Sequence, residues 1–388
     1  MINLYEKYMA SFLVVHLSLG AFGGSERVCH HVLKSLIERG QKVDLLSFEF
    51  DRNKYKLMIG EDIPTKVIIH ELRRNVRIKP PLTIYKRFYD AGKALISFQK
   101  RNDQRYDFLF LTQSSSPFEL TFLKNYDKAI GYVHFPEIHY EYERSGVLKR
   151  VYIQPFKRFI EKGVKNLDLI ICNSCYTKEM IIRFWNTIYA GNIEVVYPPL
   201  DLEKYWCSRP LSDRANRVVY IARFIPAKRH EVMKKLAKIF PDFEFVCVGS
   251  LAEEAREWFK KLREGAPRNY ILKPNLPVND LKKLLQESKI YVHLMEGEHF
   301  GIAPMEALAS GCITLVPEES GAKEFIPKIF RWKNEEDLKN KLSFAMNLDE
   351  ELWDSYRNVL WQKLKELDSK NFSVKLWECL KKAYPQYL

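Results

Sequence analysis

The chain has 388 residues, 46% of them hydrophobic and 29% charged, which is enough for two ordinary domains that each bury a core. This composition excludes an intrinsically disordered or collagen-like chain, and no apolar run reaches the roughly 18 residues that span a bilayer. The formal net charge of +13 favours an anionic partner: a phosphorylated ligand, a nucleic acid or an acidic membrane surface.

The first apolar segment, Ala10–Gly20, has two interpretations, as the core of a signal peptide or as a buried strand. Its flank carries Glu6 beside Lys7, and a glycine-rich turn and an amphipathic helix follow it directly. These neighbours favour a buried first strand over a signal peptide.

Apolar runs and helical periodicity alternate through the first half of the chain. An amphipathic helix is predicted over Glu26–Arg39, with Gly40 as its C-terminal cap. The predicted strands, short runs rich in apolar and β-branched residues, are Phe12–Val15, Val43–Phe48, Lys66–His70, Phe108–Thr112, Ala129–His134 and Leu167–Cys172.

Cysteine usage indicates a reducing compartment, because the seven cysteines are scattered and odd in number. Cys172 and Cys175 have C-x-x-C spacing, but no second pair supplies the further ligands of a zinc site. We predict that both are buried small side chains and that the chain has no disulfide framework.

The alternation then restarts after a proline-containing stretch, Tyr197–Asp201, and the polar stretch Ser208–Asn216, which together form the predicted hinge. Strand–helix alternation implies parallel sheets covered by helices on both faces. The strands predicted for the second series are Val218–Ala222, Glu244–Val248, Tyr270–Lys273, Ile290–Leu294 and Ile313–Val316.

These two series predict an α/β chain with two Rossmann-like, doubly wound parallel-sheet domains. We place the domains at residues 1–200 and 201–370, and expect a C-terminal helix in 371–388 that crosses back to the first domain. Ligands of open α/β sheets bind outside the carboxyl ends of the strands. We therefore expect the functional site in a cleft between the two domains.

Two short motifs follow predicted strands and could bind phosphate. Gly23 and Gly24 stand at a strand–turn–helix junction, where the backbone can approach a ligand and helix N–H groups can bind an anion; a tight turn without a ligand is the alternative. Arg223 and Lys228 follow a strand of the second series and could clamp a diphosphate, or they belong to a solvated basic loop.

The most specific motif is EHFGIAPME, with carboxylates at Glu298 and Glu306. A carboxylate can accept two hydrogen bonds from adjacent hydroxyls, as in a sugar or a ribose. The N–H groups of Phe300, Gly301 and Ile302 are predicted to point toward a diphosphate. Helix-capping acids are the structural alternative, which the full pattern of glycine and proline disfavours.

Together, the GGSERV turn, the Arg-x4-Lys pair and E-x7-E within EHFGIAPMEALASG resemble glycosyltransferase family 4. That resemblance extends over nearly the whole chain and implies the two-Rossmann GT-B fold and retention of anomeric configuration. At finer grain the sequence is similar to the eukaryotic α-1,2-mannosyltransferases of dolichol-linked oligosaccharide assembly. The segments that carry this similarity are Tyr132–Pro136, Asn173–Thr177, Val196–Pro199 and Met295–Ile302.

The resemblance also implies a role for each motif residue. Arg223 and Lys228 would bind the donor diphosphate, Glu298 the hydroxyls of the donor sugar, and Glu306 would lie near the nucleotide ribose. On the acceptor side, Gly24 would border the diphosphate and the acceptor. His134 would line the acceptor side near the reacting carbon, although a core histidine is the default reading of its position. Gly249 would neighbour the base, whereas His16, His293 and His299 gain less support.

No D-x-D pair of carboxylates is present to hold a metal–diphosphate complex. Arg223 and Lys228 can neutralise the diphosphate themselves. We therefore expect transfer without a divalent metal or any other cofactor.

Two basic–aromatic stretches lie in the first domain, Arg73–Arg101 and Val147–Lys165. A basic amphipathic surface rich in Phe and Tyr can lie on anionic headgroups, and an ordinary solvated helix face is the alternative. We expect a cytoplasmic protein that binds the cytoplasmic face of a membrane peripherally.

The sequence thus predicts a hexosyltransferase that moves mannose from GDP-mannose to a lipid-linked or growing glycan. UDP-glucose or UDP-N-acetylglucosamine is the alternative donor, because nothing in the sequence determines the base. A sugar-nucleotide epimerase would not share the HFGIAPMEALASG run. A nucleic-acid-binding protein would explain the charge but not the E-x7-E pattern, so no nucleic-acid partner is expected.

Overall fold

A computed structural model of the chain describes residues 9–21, 23–74, 83–114 and 116–388. By its internal packing the chain divides into two units. Unit 1 comprises residues Met1–Pro199 and Phe372–Leu388, and unit 2 comprises Leu200–Asn371. Among the described residues, no helix is both long and apolar enough to cross a bilayer.

Unit 1 is built on a seven-stranded parallel sheet in the order β3-β2-β1-β4-β5-β6-β7. The order reverses between β1 and β4, which makes this pair the topological switch point of the sheet. The strands are β1 Ser11–Val15, β2 Lys42–Phe48, β3 Ile68–Leu72, β4 Tyr106–Ser114, β5 Tyr126–Val133, β6 Leu169–Cys172 and β7 Asn192–Val195.

Helices cover both faces of this sheet. Alternate strand residues point to opposite sides, and both sides carry apolar side chains that have to be buried. In β1, Leu13 and Val15 join one buried cluster, whereas Phe12 and Val14 join the other. The helices of the unit are α1 Gly24–Glu38, α2 Arg52–Ile59, α3 Thr83–Arg101, α4 Glu137–Arg144, α5 Val147–Val164 and α6 Cys175–Trp185.

The last helix of the chain, α14 (Ser369–Ala383), contributes to the core of unit 1 from Phe372 onward. Its buried residues Phe372, Leu376 and Leu380 belong to the same cluster as Val28 and Val32 of α1. Their spacing of four residues places them on one side of the helix, so the apolar stripe is buried against the sheet.

Unit 2 has a six-stranded parallel sheet in the order β10-β9-β8-β11-β12-β13, with its switch point between β8 and β11. The strands are β8 Ala215–Ile221, β9 Glu244–Gly249, β10 Tyr270–Pro274, β11 Ser288–Val292, β12 Ile313–Pro317 and β13 Arg331–Trp332. The helices are α7 Leu202–Tyr205, α8 His230–Ile239, α9 Arg256–Arg263, α10 Val278–Gln286, α11 Ile302–Ala309, α12 Glu335–Met346 and α13 Glu350–Leu364.

The predicted fold class, two doubly wound parallel-sheet units, is confirmed. Some details were predicted wrongly or not at all. Strands β3 and β11 are each displaced by two residues from the predicted Lys66–His70 and Ile290–Leu294, and the edge strands β7 and β13 were not predicted. Cys172 is buried as expected, but Cys175 is exposed. Its position explains this, because Cys175 is the first residue of α6 after the N-cap Ser174, outside the sheet.

Candidate functional site

In unit 2, the predicted donor residues follow β8 and β11, which flank the switch point, and β9, which is the neighbour of β8. Arg223 and Lys228 follow β8, Gly249 ends β9, and Glu298 follows β11. Parallel strands end at one edge of the sheet, so these loops emerge side by side. The sequence motifs are therefore gathered at the edge where open α/β sheets bind ligands.

The loop that carries Arg223 and Lys228 is held at both ends by buried side chains. Tyr220 donates a hydrogen bond from its hydroxyl to the carbonyl oxygen of Lys228 at 2.7 Å. His230 lies with Nε2 3.1 Å from the carbonyl oxygen of Arg223, and because a carbonyl only accepts, Nε2 carries the proton. Burial lowers the pKa of His230 to about 4, so its ring is neutral. The Arg223 side chain is exposed.

Glu298 lies between two proton-bearing groups. Its Oε2 atom is 3.2 Å from Nε2 of His293 and 3.9 Å from Nζ of Lys228. Burial raises the pKa of Glu298, but the His293 hydrogen bond and the Lys228 charge outweigh it and hold the pKa well below the usual range. The carboxylate is therefore ionised at neutral pH and presents only acceptors.

The loop after Glu298 approaches neighbouring backbone closely. The carbonyl oxygen of Glu298 accepts a hydrogen bond from the N–H of Gly321 at 2.8 Å. A Cβ atom on Gly321 would lie 2.0 Å from the carbonyl oxygen of His299, so only glycine fits there. Gly301, the N-cap of α11, has φ +89, in the left-handed region that favours glycine. Phe300 is buried, whereas Ile302 starts the helix.

Glu306 lies one turn into α11 and is buried. One of its carboxylate oxygens accepts a hydrogen bond from the Tyr205 hydroxyl at 2.6 Å. Tyr205 belongs to α7 and is also buried. Glu306 thus joins α7 to α11, and this contact between residues 101 positions apart was not visible in the sequence.

Gly249 is required by close backbone packing. A Cβ atom at this position would lie 1.8 Å from the carbonyl oxygen of Ala222 and 3.2 Å from the amide nitrogen of Arg223. Any side chain would therefore displace the start of the Arg223 loop. Backbone packing alone therefore requires glycine at position 249, whether or not a nucleotide base lies beside it.

In unit 1, His134 follows β5 and contacts β4 across the carboxyl edge of the sheet. Its Nε2 atom donates a hydrogen bond to the carbonyl oxygen of Thr112 at 2.9 Å. Since Nε2 carries the proton, the neutral ring has its acceptor at Nδ1. His134 is half-buried.

The carbonyl oxygen of His134 is held by a second motif. It accepts hydrogen bonds from Nδ2 of Asn173 at 3.0 Å and from the Thr177 hydroxyl at 3.2 Å. The neighbouring Tyr132 donates from its hydroxyl to the carbonyl oxygen of Val196 at 2.7 Å. Three of the sequence segments singled out above are therefore joined to one another around His134.

The glycine turn of unit 1 is closed by Glu26. Its Oε2 atom accepts a hydrogen bond from the N–H of Gly23 at 2.7 Å, and α1 begins at Gly24. This hydrogen bond, which is one half of a capping box, engages the Gly23 amide inside the protein. Gly23, Gly24 and His134 belong to unit 1, whereas the other predicted site residues belong to unit 2.

His16 is a buried residue of this region that received little weight in the sequence. It follows β1, its Nδ1 atom is 3.0 Å from the Thr112 hydroxyl, and its Nε2 atom is 3.7 Å from the Glu26 carboxylate. Burial lowers the pKa of His16, but Cys29 and Glu26 raise it to about 9. His16 and His134 thus contact the same residue, Thr112. Both histidines stand directly after a strand, and this shared position is the sequence feature that could have identified His16 as a candidate.

Two family models match consecutive parts of the chain. The model described as Glycosyltransferase Family 4 matches residues 22–204. The model described as Glycosyl transferases group 1 matches residues 208–358.

Curated relatives similar to this chain are GDP-Man:Man(3)GlcNAc(2)-PP-Dol alpha-1,2-mannosyltransferases. The Candida glabrata protein is 33% identical over 196 residues, which are 46% of this chain and 38% of the relative. The Homo sapiens protein is 29% identical over 175 residues, 40% of this chain and 35% of the relative. The Kluyveromyces lactis protein is 26% identical over 311 residues, 71% of this chain and 52% of the relative. The matched regions thus span between about a third and half of these relatives.

Solved structures share the fold at low sequence identity. Sucrose-phosphate synthase from Thermosynechococcus elongatus has a TM-score of 0.76 at 13% identity, covering 97% of this chain and 99% of that one. Anabaena HepE, solved in complex with UDP and glucose, has a TM-score of 0.70 at 16% identity, covering 96% and 100%. Because both family models describe glycosyltransferase domains and together match residues 22–204 and 208–358, the chain belongs to the glycosyltransferases of family 4 and group 1.

Proposed function

We propose that this chain is a retaining hexosyltransferase that transfers mannose from GDP-mannose to a lipid-linked or growing glycan. The activity for which the curated relatives are named supports the choice of donor, acceptor class and α-linkage. The observation that carries the proposal is the pairing of a cation, Lys228, with an ionised carboxylate, Glu298, at the switch point of unit 2. These charges complement the two parts of a sugar nucleotide, an anionic diphosphate and a neutral polyhydroxylated sugar.

The donor diphosphate is assigned to Arg223, Lys228 and the first turn of α11. The cations and the N–H groups of Gly301 and Ile302 stabilise the negative charge that develops as the nucleotide leaves. Glu298 accepts hydrogen bonds from adjacent hydroxyls of the donor sugar. Glu306, whose carboxylate also accepts the hydrogen bond from Tyr205, recognises the ribose.

The transfer needs no protein nucleophile. The bond between the anomeric carbon and the diphosphate oxygen breaks, and the acceptor hydroxyl attacks the same face. Its proton passes to an oxygen of the departing diphosphate, so the products are the glycoside and the nucleoside diphosphate. The protein contributes position and charge stabilisation. In this proposal His134 lines the acceptor side, Gly24 borders the diphosphate and Gly249 neighbours the base.

The proposed transfer requires no divalent metal, because Arg223 and Lys228 supply the positive charge that a metal would bring to the diphosphate. Both residues lie in one loop whose ends are held by Tyr220 and His230. A fixed loop places these charges before the donor arrives, which is how preorganised electrostatic stabilisation works.

We also propose that the protein contacts an anionic membrane peripherally, at the cytoplasmic face where a lipid-linked acceptor would be held. The supporting surface is the start of α5, where Val147, Leu148 and Val151 are 76%, 88% and 69% exposed. Lys149 and Arg150 lie among them and are exposed as well. Aliphatic side chains flanked by cations match the boundary between headgroups and acyl chains. The second basic stretch, Arg73–Arg101, lies partly outside the described residues, at 75–82.

A panel of sugar nucleotides tests the proposal. Thermal unfolding is measured with GDP-mannose, UDP-glucose, UDP-N-acetylglucosamine and ADP-glucose, and GDP-mannose is expected to raise Tm in a concentration-dependent way. Transfer of radiolabelled mannose to a synthetic lipid-linked oligosaccharide follows. Stabilisation by UDP-sugars alone would contradict the donor assignment, and the absence of stabilisation by every member of the panel would contradict the function.

A further inference from the structure

Two buried polar side chains, Tyr291 and His293, lead by consecutive contacts to Glu298, which is 23% exposed. The Tyr291 hydroxyl is 3.3 Å from Nδ1 of His293, and Nε2 of His293 is 3.2 Å from Oε2 of Glu298. Tyr291 is fully buried and His293 is 4% exposed. Neither residue has a part in the transfer as proposed above.

The direction of each hydrogen bond follows from its acceptor. An ionised carboxylate only accepts, so Nε2 of His293 must carry a proton. In the neutral ring Nδ1 is then an acceptor, and the Tyr291 hydroxyl is the donor that meets it. Burial raises the pKa of Tyr291 well above its usual value, so the hydroxyl keeps its proton. Tyr291 thereby selects the tautomer of His293 that can donate to Glu298.

The backbone of His293 is fixed from both sides. Its N–H donates to the carbonyl oxygen of Leu315 in β12 at 2.8 Å. Its carbonyl oxygen accepts a hydrogen bond from Nε1 of Trp332 in β13 at 3.2 Å. The imidazole therefore stands at a fixed position at the end of β11, whereas Lys228, the other neighbour of Glu298, is a flexible side chain from another loop.

We propose that His293 is a positioning residue for donor-sugar recognition: its Nε2–H holds the Glu298 carboxylate in orientation for the sugar hydroxyls, with Tyr291 fixing its tautomer. This inference rests on the proposed function. It explains why Glu298 keeps a partner once Lys228 turns to the diphosphate. If His293 only filled the core, its replacement would affect the binding of GDP-mannose and of GDP equally.

That difference is the test. Dissociation constants for GDP-mannose and for GDP are measured by calorimetry on the full chain and on His293→Leu and His293→Gln. His293→Leu is expected to weaken GDP-mannose binding about tenfold or more, since it removes a hydrogen bond to a charged group, and to leave GDP binding within about twofold. His293→Gln keeps an N–H donor toward Glu298 and is expected to recover most of the loss.

The pH dependence separates orientation from packing. Without His293, the remaining charges of Lys228 and His299 oppose the burial of Glu298 less strongly, so its carboxyl protonates at a higher pH. The loss of GDP-mannose affinity in His293→Leu is therefore expected to be larger at pH 5.5 than at pH 7.5. If the loss of GDP-mannose affinity came from lost packing, it would be equal at both pH values.

A matched control exists in unit 1. His30 is buried, with Nδ1 3.0 Å from the Tyr55 hydroxyl and Nε2 3.4 Å from the Glu61 carboxylate. His30→Leu removes the same arrangement of side chains away from the proposed donor residues, and both dissociation constants are expected to stay unchanged.

Equal losses for GDP and GDP-mannose in His293→Leu, or no loss, would overturn the inference. If His293→Leu does not fold, Tyr291→Phe and His293→Gln are compared instead. Tyr291→Phe removes the donor that fixes the tautomer of His293, and is expected to weaken GDP-mannose binding several-fold with GDP binding unchanged. The absence of this selective loss would overturn the inference. A native chain that binds no sugar nucleotide would defeat the proposed function itself. If it binds another sugar nucleotide, the comparison uses that compound and its free nucleotide.

Discussion

The Nζ atom of Lys228 lies 3.9 Å from the Oε2 atom of Glu298, so a cation and a carboxylate from two separate loops meet at the switch point of unit 2. Both side chains are mostly buried, 20% and 23% exposed. This contact neutralises each charge while leaving both groups within reach of solvent.

Replacing Lys228 by Met is expected to lower kcat/KM about 100-fold to 1000-fold, because a preorganised charge at the leaving group is lost. Glu298 retains its hydrogen bond with His293, so the midpoint of thermal unfolding should move by only a few degrees. Steady-state kinetics and calorimetry measure the two effects. Lys260→Met, an exposed lysine of α9 paired with Glu257, serves as the control, and near-normal turnover in Lys228→Met would reject the assignment.

Chelation of divalent metals is expected to leave the transfer rate unchanged. The reason is that Arg223 and Lys228 supply the positive charge at the diphosphate. The rate is measured after dialysis against EDTA and again after addition of Mg²⁺ or Mn²⁺. Loss of transfer in EDTA with recovery on adding either metal would refute metal independence.

Gly249→Ala is expected to destabilise unit 2 by about 3 kcal/mol or more, because its Cβ atom would lie 1.8 Å from the carbonyl oxygen of Ala222. Since the collision is with backbone, the Arg223 loop has to move. Thermal unfolding measures the loss of stability, and nucleotide binding should weaken in parallel. Gly20→Ala adds a Cβ into open space and should change little. A Gly249→Ala protein as stable as the native chain would contradict the observed packing.

The contact between His16 and Glu26 predicts a pH window of stability. Burial raises the pKa of Glu26, but His16 and the Gly23 amide lower it to about 2 from the usual 4.5. Its stabilisation is therefore present above pH 4.5 and lost as the pH falls toward 2. Contacts raise the pKa of His16 to about 9 from 6.5, so its stabilisation is complete below pH 6.5 and lost as the pH rises through 9.

The difference in Tm between the native chain and Glu26→Gln should accordingly be larger at pH 5.5 than at pH 9.5. Glu119, whose pKa burial raises to about 8, is present in both proteins and titrates in the same pH range, where the charge of His16 also acts on it. Glu257→Gln, which alters an exposed carboxylate, should show almost no difference at either pH. An equal difference at pH 5.5 and pH 9.5 for Glu26→Gln would show that His16 is not charged in the folded state.

The aliphatic surface at the start of α5 is expected to direct vesicle binding. Exchanging Leu148 and Val151 for Ser should lower the partition coefficient on phosphatidylserine-containing vesicles about tenfold or more, because two insertable side chains are lost. Flotation with anionic and with pure phosphatidylcholine vesicles measures this. Val359→Ser changes a residue of α13 that is 71% exposed and is the matched control. Equal flotation of the native chain with both vesicle types would contradict the proposed membrane contact.

The fold class and the position of the motifs were already present in the sequence. Apolar runs and helical periodicity are local properties of the chain, and their alternation determines a parallel sheet covered on both faces. Since each motif directly follows a predicted strand, its place at the carboxyl edge follows as well. The two doubly wound sheets and the order of the motifs after β8 and β11 could therefore be predicted.

The edge strands could not be predicted for a physical reason. β13 has two residues, Arg331–Trp332, and β7 reads Asn192–Val195 with two polar residues among its four. Neither run has a local apolar pattern of its own, and each becomes a strand because a neighbouring strand, β12 or β6, offers hydrogen bonds.

The sequence by itself determined that two carboxylates, two cations and several glycines stand after strands of two doubly wound sheets. Only the tertiary structure decided their partners: Glu298 contacts Lys228, which is 70 residues away in the chain, and Thr112 contacts both His16 and His134. Residue periodicity is set by local backbone geometry, whereas such contacts depend on strand order and register, which arise only when distant segments pack.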